Sequence, residues 1–89
     1  MSEITIYGSH HCSYCQRAEQ LLINKGATKL NKIFVDEAPE QLAQMITKTG
    51  RRTVPQIYID NKHIGGFDDL AALDRAGELS CILNDQKDS

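Results

Sequence analysis

The sequence predicts an α/β domain in the order βαβαββα, with a mixed four-stranded sheet flanked by helices. Two patterns and one bound carry that prediction. Short β-branched stretches alternate with amphipathic stretches of helical period, and Gly, Pro and Asp-Asn signals punctuate them. The 89 residues and 10.0 kDa leave room for one domain, residues 1–89, and no more. At this mass about 5,200 Å² of folded surface faces about 14,500 Å² in the unfolded chain, so about 64% can be buried, enough for one core.

Glu3-Ile4-Thr5-Ile6-Tyr7 alternates and is β-branched, the pattern of a short strand, which Gly8-Ser9-His10-His11 ends. From Cys15 to Lys25, Ala18, Leu21 and Leu22 recur at helical spacing, while Gln16, Arg17, Glu19 and Gln20 fill the outer face. Gly26 stands where a left-handed residue should close that helix. Ile33-Phe34-Val35 reads as a second strand, and a strand–helix–strand unit makes the two strands parallel through a right-handed crossover. The run Asp36 to Glu40 opens the next helix, with Pro39 near its first position and acids placed to meet the dipole. Leu42, Met45 and Ile46 form its apolar stripe, and Gly50 ends it. Gln56-Ile57-Tyr58-Ile59 and Lys62-His63-Ile64 flank Asp60-Asn61, a hairpin signal. After Gly65-Gly66, Asp68 is expected to cap a helix through Leu70 and Leu73 that stops near Gly77. Leu79, Ile82 and Leu83 add a short closing turn, and residues 84–89 read as a frayed tail.

Composition narrows the function. Ten Lys and Arg against twelve Asp and Glu give a net charge of −2, which argues against a nucleic-acid surface built on phosphate neutralisation. No apolar run approaches the ~20 residues that span a bilayer. Met1-Ser2-Glu3-Ile4 lacks the basic start and apolar stretch of a signal peptide, so a soluble cytoplasmic protein is expected. The three cysteines, Cys12, Cys15 and Cys81, cannot all pair within one chain, so a secreted disulfide scaffold is not expected. Cys81, among Leu79, Ile82 and Leu83, reads as a small buried hydrophobe.

Cys12-Ser13-Tyr14-Cys15 lies between the first strand and the first helix. A sulfur there faces unpaired backbone N–H groups and the positive end of the helix dipole, which favour the ionised, reactive form. Cys12 is therefore the expected nucleophile, and Cys15, one turn inside, the more buried resolving thiol. Half a zinc site is the competing reading, and it would need ligands from His10, His11, His63 or Cys81. A C-x-x-C beside a βαβ unit points instead to thioredoxin-like redox chemistry. His10 and His11 read as solvated loop residues, and His63 as structural.

Three segments together resemble the glutaredoxins: Cys12-Ser13-Tyr14-Cys15, Thr53-Val54-Pro55 and Gly65-Gly66-Phe67-Asp68-Asp69. The likeness runs from about Ile4 to Leu83 and is nearest to the small bacterial dithiol members. It implies a thioredoxin fold and a glutathione-dependent thiol–disulfide oxidoreductase. It also implies a glutathione site made by Tyr14, Arg52, Thr53, Val54, Pro55, Gly66, Asp68 and Asp69. In that site Val54 pairs with the ligand backbone beside a cis Pro55, and the N–H groups near Asp68 hold the γ-glutamyl carboxylate. Asp69 takes the ammonium. Capping is an equal role for Asp68.

Two departures from the family stand out. Ser9 occupies the place of a common lysine, leaving the glycyl carboxylate to Arg51, Arg52, Lys48 or His10, with Arg52 preferred for a bidentate grip. Ser13 replaces a common proline, and some members with serine there bind a 2Fe–2S cluster between two subunits through the first cysteine and two glutathiones. Otherwise no metal is implied. The expected partners are glutathione and disulfide-containing or glutathionylated proteins, with ribonucleotide reductase among the family's substrates, and the chain is expected to act as a monomer without nucleic acid or membrane. A thioredoxin-like donor recharged by a flavoprotein reductase is the alternative redox role.

Overall fold

A computed structural model describes residues 3–27 and 29–84. Four strands, β1 (Ile4–Gly8), β2 (Leu30–Phe34), β3 (Gln56–Ile59) and β4 (Lys62–Gly65), form one sheet in the order β2-β1-β3-β4. β1 runs parallel to β2 and antiparallel to β3, and β4 is antiparallel to β3. The helices are α1 (Ser13–Asn24), α2 (Pro39–Thr49), α3 (Phe67–Arg75) and α4 (Leu79–Asn84). This is the thioredoxin fold expected of the sequence, with a short fourth helix in place of the closing turn.

Alternation along β1 sorts the two faces. Ile4 and Ile6 join Ile57, Ile59, Ala18, Leu22, Leu70, Leu79 and Leu83 in one core, beneath α1, α3 and α4. Tyr7 points the other way, into a smaller core with Val35 and Met45 beneath α2. Ile4, Leu22, Ile57, Leu70 and Leu79 are fully enclosed, each contributing about 1.5–3 kcal/mol of burial free energy.

Several boundaries differ from the sequence expectation, each for a local reason. α1 starts at Ser13, ahead of its apolar stripe, because Cys12 itself caps it. β2 spans Leu30–Phe34, earlier than the Ile33-Phe34-Val35 run, since Asn31 and Lys32 are exposed on an edge strand and carry no apolar signal. Val35 follows the strand, donating its N–H to the Gly8 carbonyl at 2.8 Å. Asp36 does not serve α2: its carboxylate accepts from the His10 backbone N–H and faces the His10 ring. Gly66, not Asp68, caps α3, because Asp69 stands three residues on and accepts the Gly66 N–H at 2.9 Å. Cys81 is exposed rather than buried. α4 turns Leu79 and Leu83 inward at i and i+4, which carries Cys81 to the opposite side. Of the expected tail, residues 85–89 lie outside the described residues.

The hairpin is held at its tip. Asp60 has a positive φ of 54°, its N–H donates to the Glu3 carbonyl at 2.7 Å, and its carboxylate accepts the Glu3 N–H at 3.0 Å. This clasp ties the β3–β4 turn to the start of β1. The opposite ends of the strands, where β1 leads into α1 and β4 into α3, are left to build the site.

Candidate active site

Cys12 occupies the cap position of α1 with an extended backbone, φ −118° and ψ 107°. Its sulfur accepts the Cys15 N–H at 3.1 Å, the role that a Ser, Thr, Asp or Asn oxygen fills at most helix starts. A donor aimed in this way holds a thiolate more strongly than a thiol. No acidic residue lies in the first turn of α1 to oppose that charge. On its other side the half-buried Cys12 thiol reaches the Val54 carbonyl at 3.9 Å.

Cys15 has a different environment. It is buried against the end of β1, where a Cβ on Gly8 would come within 2.9 Å of the Cys15 sulfur. The absent side chain at Gly8 makes room for the second thiol. Burial first, and contact with the Cys12 sulfur second, push the Cys15 thiol from an ordinary 9.0 up to about 12. The sign follows directly: a raised thiol stays protonated, and unreactive, through neutral pH. In the reduced protein, alkylation of Cys15 should therefore rise about tenfold per pH unit between about pH 7 and 10 without a plateau. Mass spectrometry of labelled peptides reads this out, with Cys12 and exposed Cys81 labelled first. A plateau near the ordinary 9.0 would show that burial does not hold the thiol down.

Next to Cys12, three segments enclose a cavity of about 280 Å³. Tyr14 contributes from α1, Arg51 and Thr53–Pro55 from the loop before β3, and Gly66–Asp69 from the start of α3. The Val54–Pro55 peptide is cis, as the resemblance implies. Tyr14 is 53% exposed and meets the Phe67 ring at 5.8 Å, with the Arg17 guanidinium 5.5 Å above it. Asp69 Oδ2 accepts from both Arg51 Nη1 at 3.0 Å and the Gly66 N–H at 2.9 Å. The Arg51 bond, then the Gly66 bond, hold the Asp69 carboxyl below its ordinary 3.8. Gly65 makes this clasp feasible: its φ is +121°, and a Cβ there would overlap the Asp69 carboxylate.

The cavity thus gathers Tyr14, Thr53, Val54, Pro55, Gly66, Asp68 and Asp69, but not Arg52. Arg52 is exposed outside the lining, and its neighbour Arg51 supplies the guanidinium at the wall. The other candidate cations are elsewhere. Lys48 donates to the Tyr7 hydroxyl at 3.2 Å and lines a separate cavity with Tyr58, while His10 stacks on Phe34 and pairs with Asp36 at 3.1 Å. His10 is therefore fixed in place and not simply solvated. Among the described residues no group of three or more His, Cys, Asp or Glu side chains is arranged to hold a metal ion. Sequence reasoning did not single out Phe67 or Gln56. A lone Gln within an apolar strand is the signal that could have drawn attention to the latter.

The glutaredoxin family model matches residues 4–64 of this chain. The chain belongs to the glutaredoxin family. It is 46% identical over 84 residues to a glutaredoxin of Pseudomonas aeruginosa, covering 94% of this chain and 99% of that one. Glutaredoxin 3 of Escherichia coli is 45% identical over 83 residues, covering 93% and 99%. Among solved structures, a buckwheat glutaredoxin–glutathione complex superposes with a TM-score of 0.86 at 31% identity, covering 94% of this chain and 78% of that one. A Brucella melitensis glutaredoxin gives 0.80 at 44% identity, covering 91% and 87%. As a glutaredoxin, the protein is a thiol–disulfide oxidoreductase, and Cys12 and Cys15 form a C-x-x-C motif.

Proposed function

We propose that the protein uses glutathione as its reductant, binding the tripeptide in the cavity beside Cys12 and reducing glutathionylated proteins and protein disulfides. The observation that carries this reading is the Cys12 sulfur, held by the Cys15 N–H and in reach of the Val54 carbonyl, beside a cavity that Val54 lines together with a paired Asp and Arg. Val54 offers backbone groups to the cysteinyl unit as an added strand would. N–H groups at the start of α3 meet the γ-glutamyl carboxylate. Asp69 receives the ammonium, and Arg51, in the role first given to Arg52, faces a ligand carboxylate.

With a glutathionylated protein, the Cys12 thiolate attacks the glutathione sulfur, forming a Cys12–glutathione disulfide and releasing the protein thiolate, which takes up a proton. A second glutathione thiolate then attacks that disulfide, leaving oxidised glutathione and free Cys12. With a protein disulfide, Cys12 attacks first, Cys15 displaces the substrate thiolate, and two glutathiones reduce the Cys12–Cys15 disulfide. A potential in the glutaredoxin range, about −200 to −230 mV, lets the glutathione pool drive the cycle. A 2Fe–2S cluster shared by two copies would draw on the same Cys12 sulfur, since thiolates are its ligands. Such a cluster would add to the role of this site without replacing it.

The test is turnover of a glutathione–mercaptoethanol mixed disulfide, coupled to glutathione reductase and followed by NADPH consumption. Steady turnover is expected at micromolar protein or below. No turnover from folded, reduced protein would overturn the reading. Recharging of the Cys12–Cys15 disulfide by thioredoxin reductase, and not by glutathione, would replace it with the thioredoxin-like role.

A further inference from the structure

Gln56 is the only buried polar side chain in the cores of the described residues, at 0% exposure. It begins β3 opposite Tyr7, on the sheet face that packs beneath α2. An apolar residue would fill that place without having to desolvate an amide. The amide is instead fully engaged. Its Nε2 donates to the Thr53 carbonyl at 3.0 Å and to Thr53 Oγ1 at 3.3 Å, and its Oε1 lies 2.8 Å from His63 Nε2.

The carbonyl of Thr53 can only accept, which fixes the amide's orientation. Oε1 must then face His63, so His63 Nε2 carries the proton and donates. The bonds therefore run in one direction, from His63 on β4, through Gln56 on β3, to Thr53. Thr53 and Val54 are the residues that give the active-site cavity its backbone edge, and the Val54 carbonyl is the one that Cys12 reaches. Burial, foremost, lowers the His63 pKa from its ordinary 6.5, which favours the neutral ring, and in that ring the single proton sits on Nε2.

We propose that Gln56, held by His63, is a positioning residue that sets the Thr53–Val54 backbone for pairing with the glutathione moiety of the substrate. It acts from inside the sheet without touching the ligand. The inference rests on the glutathione reading above and adds its determinant of affinity. Cys12 has its own support in the Cys15 N–H, so the two functions separate: Gln56 governs binding, and the α1 terminus governs the reactivity of the sulfur.

The test compares wild type, Gln56→Met and His63→Phe in steady-state turnover of the glutathione–mercaptoethanol disulfide. Methionine keeps the volume and removes both halves of the relay, while phenylalanine removes only the outer half. Gln56→Met should raise KM for the mixed disulfide about tenfold and leave kcat within about twofold. His63→Phe should raise KM about threefold in the same pattern. A purely structural role would lower the unfolding temperature with KM unchanged, and that result would overturn the proposal. So would an equal fall in kcat. If Gln56→Met does not fold, His63→Phe decides the matter alone. Absence of turnover in wild type would instead sink the glutathione reading, so the two failures are distinguishable.

Discussion

Cys12→Ser is expected to leave a folded protein with no measurable turnover, toward either glutathionylated substrates or protein disulfides. The two halves of that expectation have separate causes. Serine is itself a good helix cap, and its oxygen can accept the Cys15 N–H that the sulfur now accepts at 3.1 Å. Stability should therefore stay within about 1 kcal/mol of wild type, or rise. Chemistry fails because every proposed path begins with a thiolate attacking a disulfide sulfur. A hydroxyl with no adjacent base is not ionised at neutral pH and cannot make that bond. Of the two rings just before it, His10 is committed to Asp36 and stacked on Phe34, and exposed His11 makes no hydrogen bond to it among the described residues. The rate should fall by more than about a thousandfold, to the background of glutathione alone. The coupled NADPH assay measures it, with thermal unfolding as the control for folding. Turnover above background in the serine variant would mean that another thiol carries the reaction. Exposed Cys81 would then be the one to remove next.

The parts of this site that could be read from the sequence are those in which one residue type does one physical job. A C-x-x-C at the point where a β-branched run gives way to a helical period can have its outer sulfur only at the helix end, and Cys12 is there. The apolar stripe of Ala18, Leu21 and Leu22 marked the buried face of α1 in the same way. Choices between neighbouring residues were not legible. Arg51 and Arg52 differ only in which way the chain turns after Gly50, whose φ is 71°, and Thr49 Oγ1 then fixes the turn by accepting the Arg51 N–H at 3.0 Å. That turn depends on where α2 ends and how its last residue bonds. Asp68 and Asp69 raise the same difficulty. Either acid fits a cap by type, and the helix start at Gly66 gives the job to the one three residues on. Edge strand β2 was underestimated because its solvent-facing Asn31 and Lys32 look like loop. Gln56 escaped for a deeper reason: one polar residue in an apolar run is usually at the surface, and only tertiary structure reveals that its amide is enclosed and satisfied.

Cys15→Ser should separate two reactions that Cys12→Ser abolishes together. Reduction of a protein disulfide is expected to fall more than about a hundredfold, while deglutathionylation stays within about threefold of wild type. The Cys15 backbone N–H is unaffected by the change, so the support of the Cys12 sulfur survives in the variant. What is lost is an intramolecular thiol one helical turn away. For a protein bound to Cys12 that thiol is decisive, because the substrate itself crowds the mouth of the cavity and an external glutathione must compete with a group already in place. For a glutathionyl group on Cys12 it is not, since a second small thiol can approach from solvent. The raised Cys15 thiol fits this division. Held up at about 12 by burial first and by the Cys12 sulfur second, it is silent while Cys12 is reduced. Once Cys12 is consumed in a disulfide, its contact with the Cys15 thiol no longer adds to that rise, while burial, the larger cause, remains. Assays of a glutathione mixed disulfide and a protein disulfide on one preparation, with wild type alongside, give the ratio directly. Equal loss in both would contradict the assignment of Cys15 as the resolving residue, whatever the serine variant's stability.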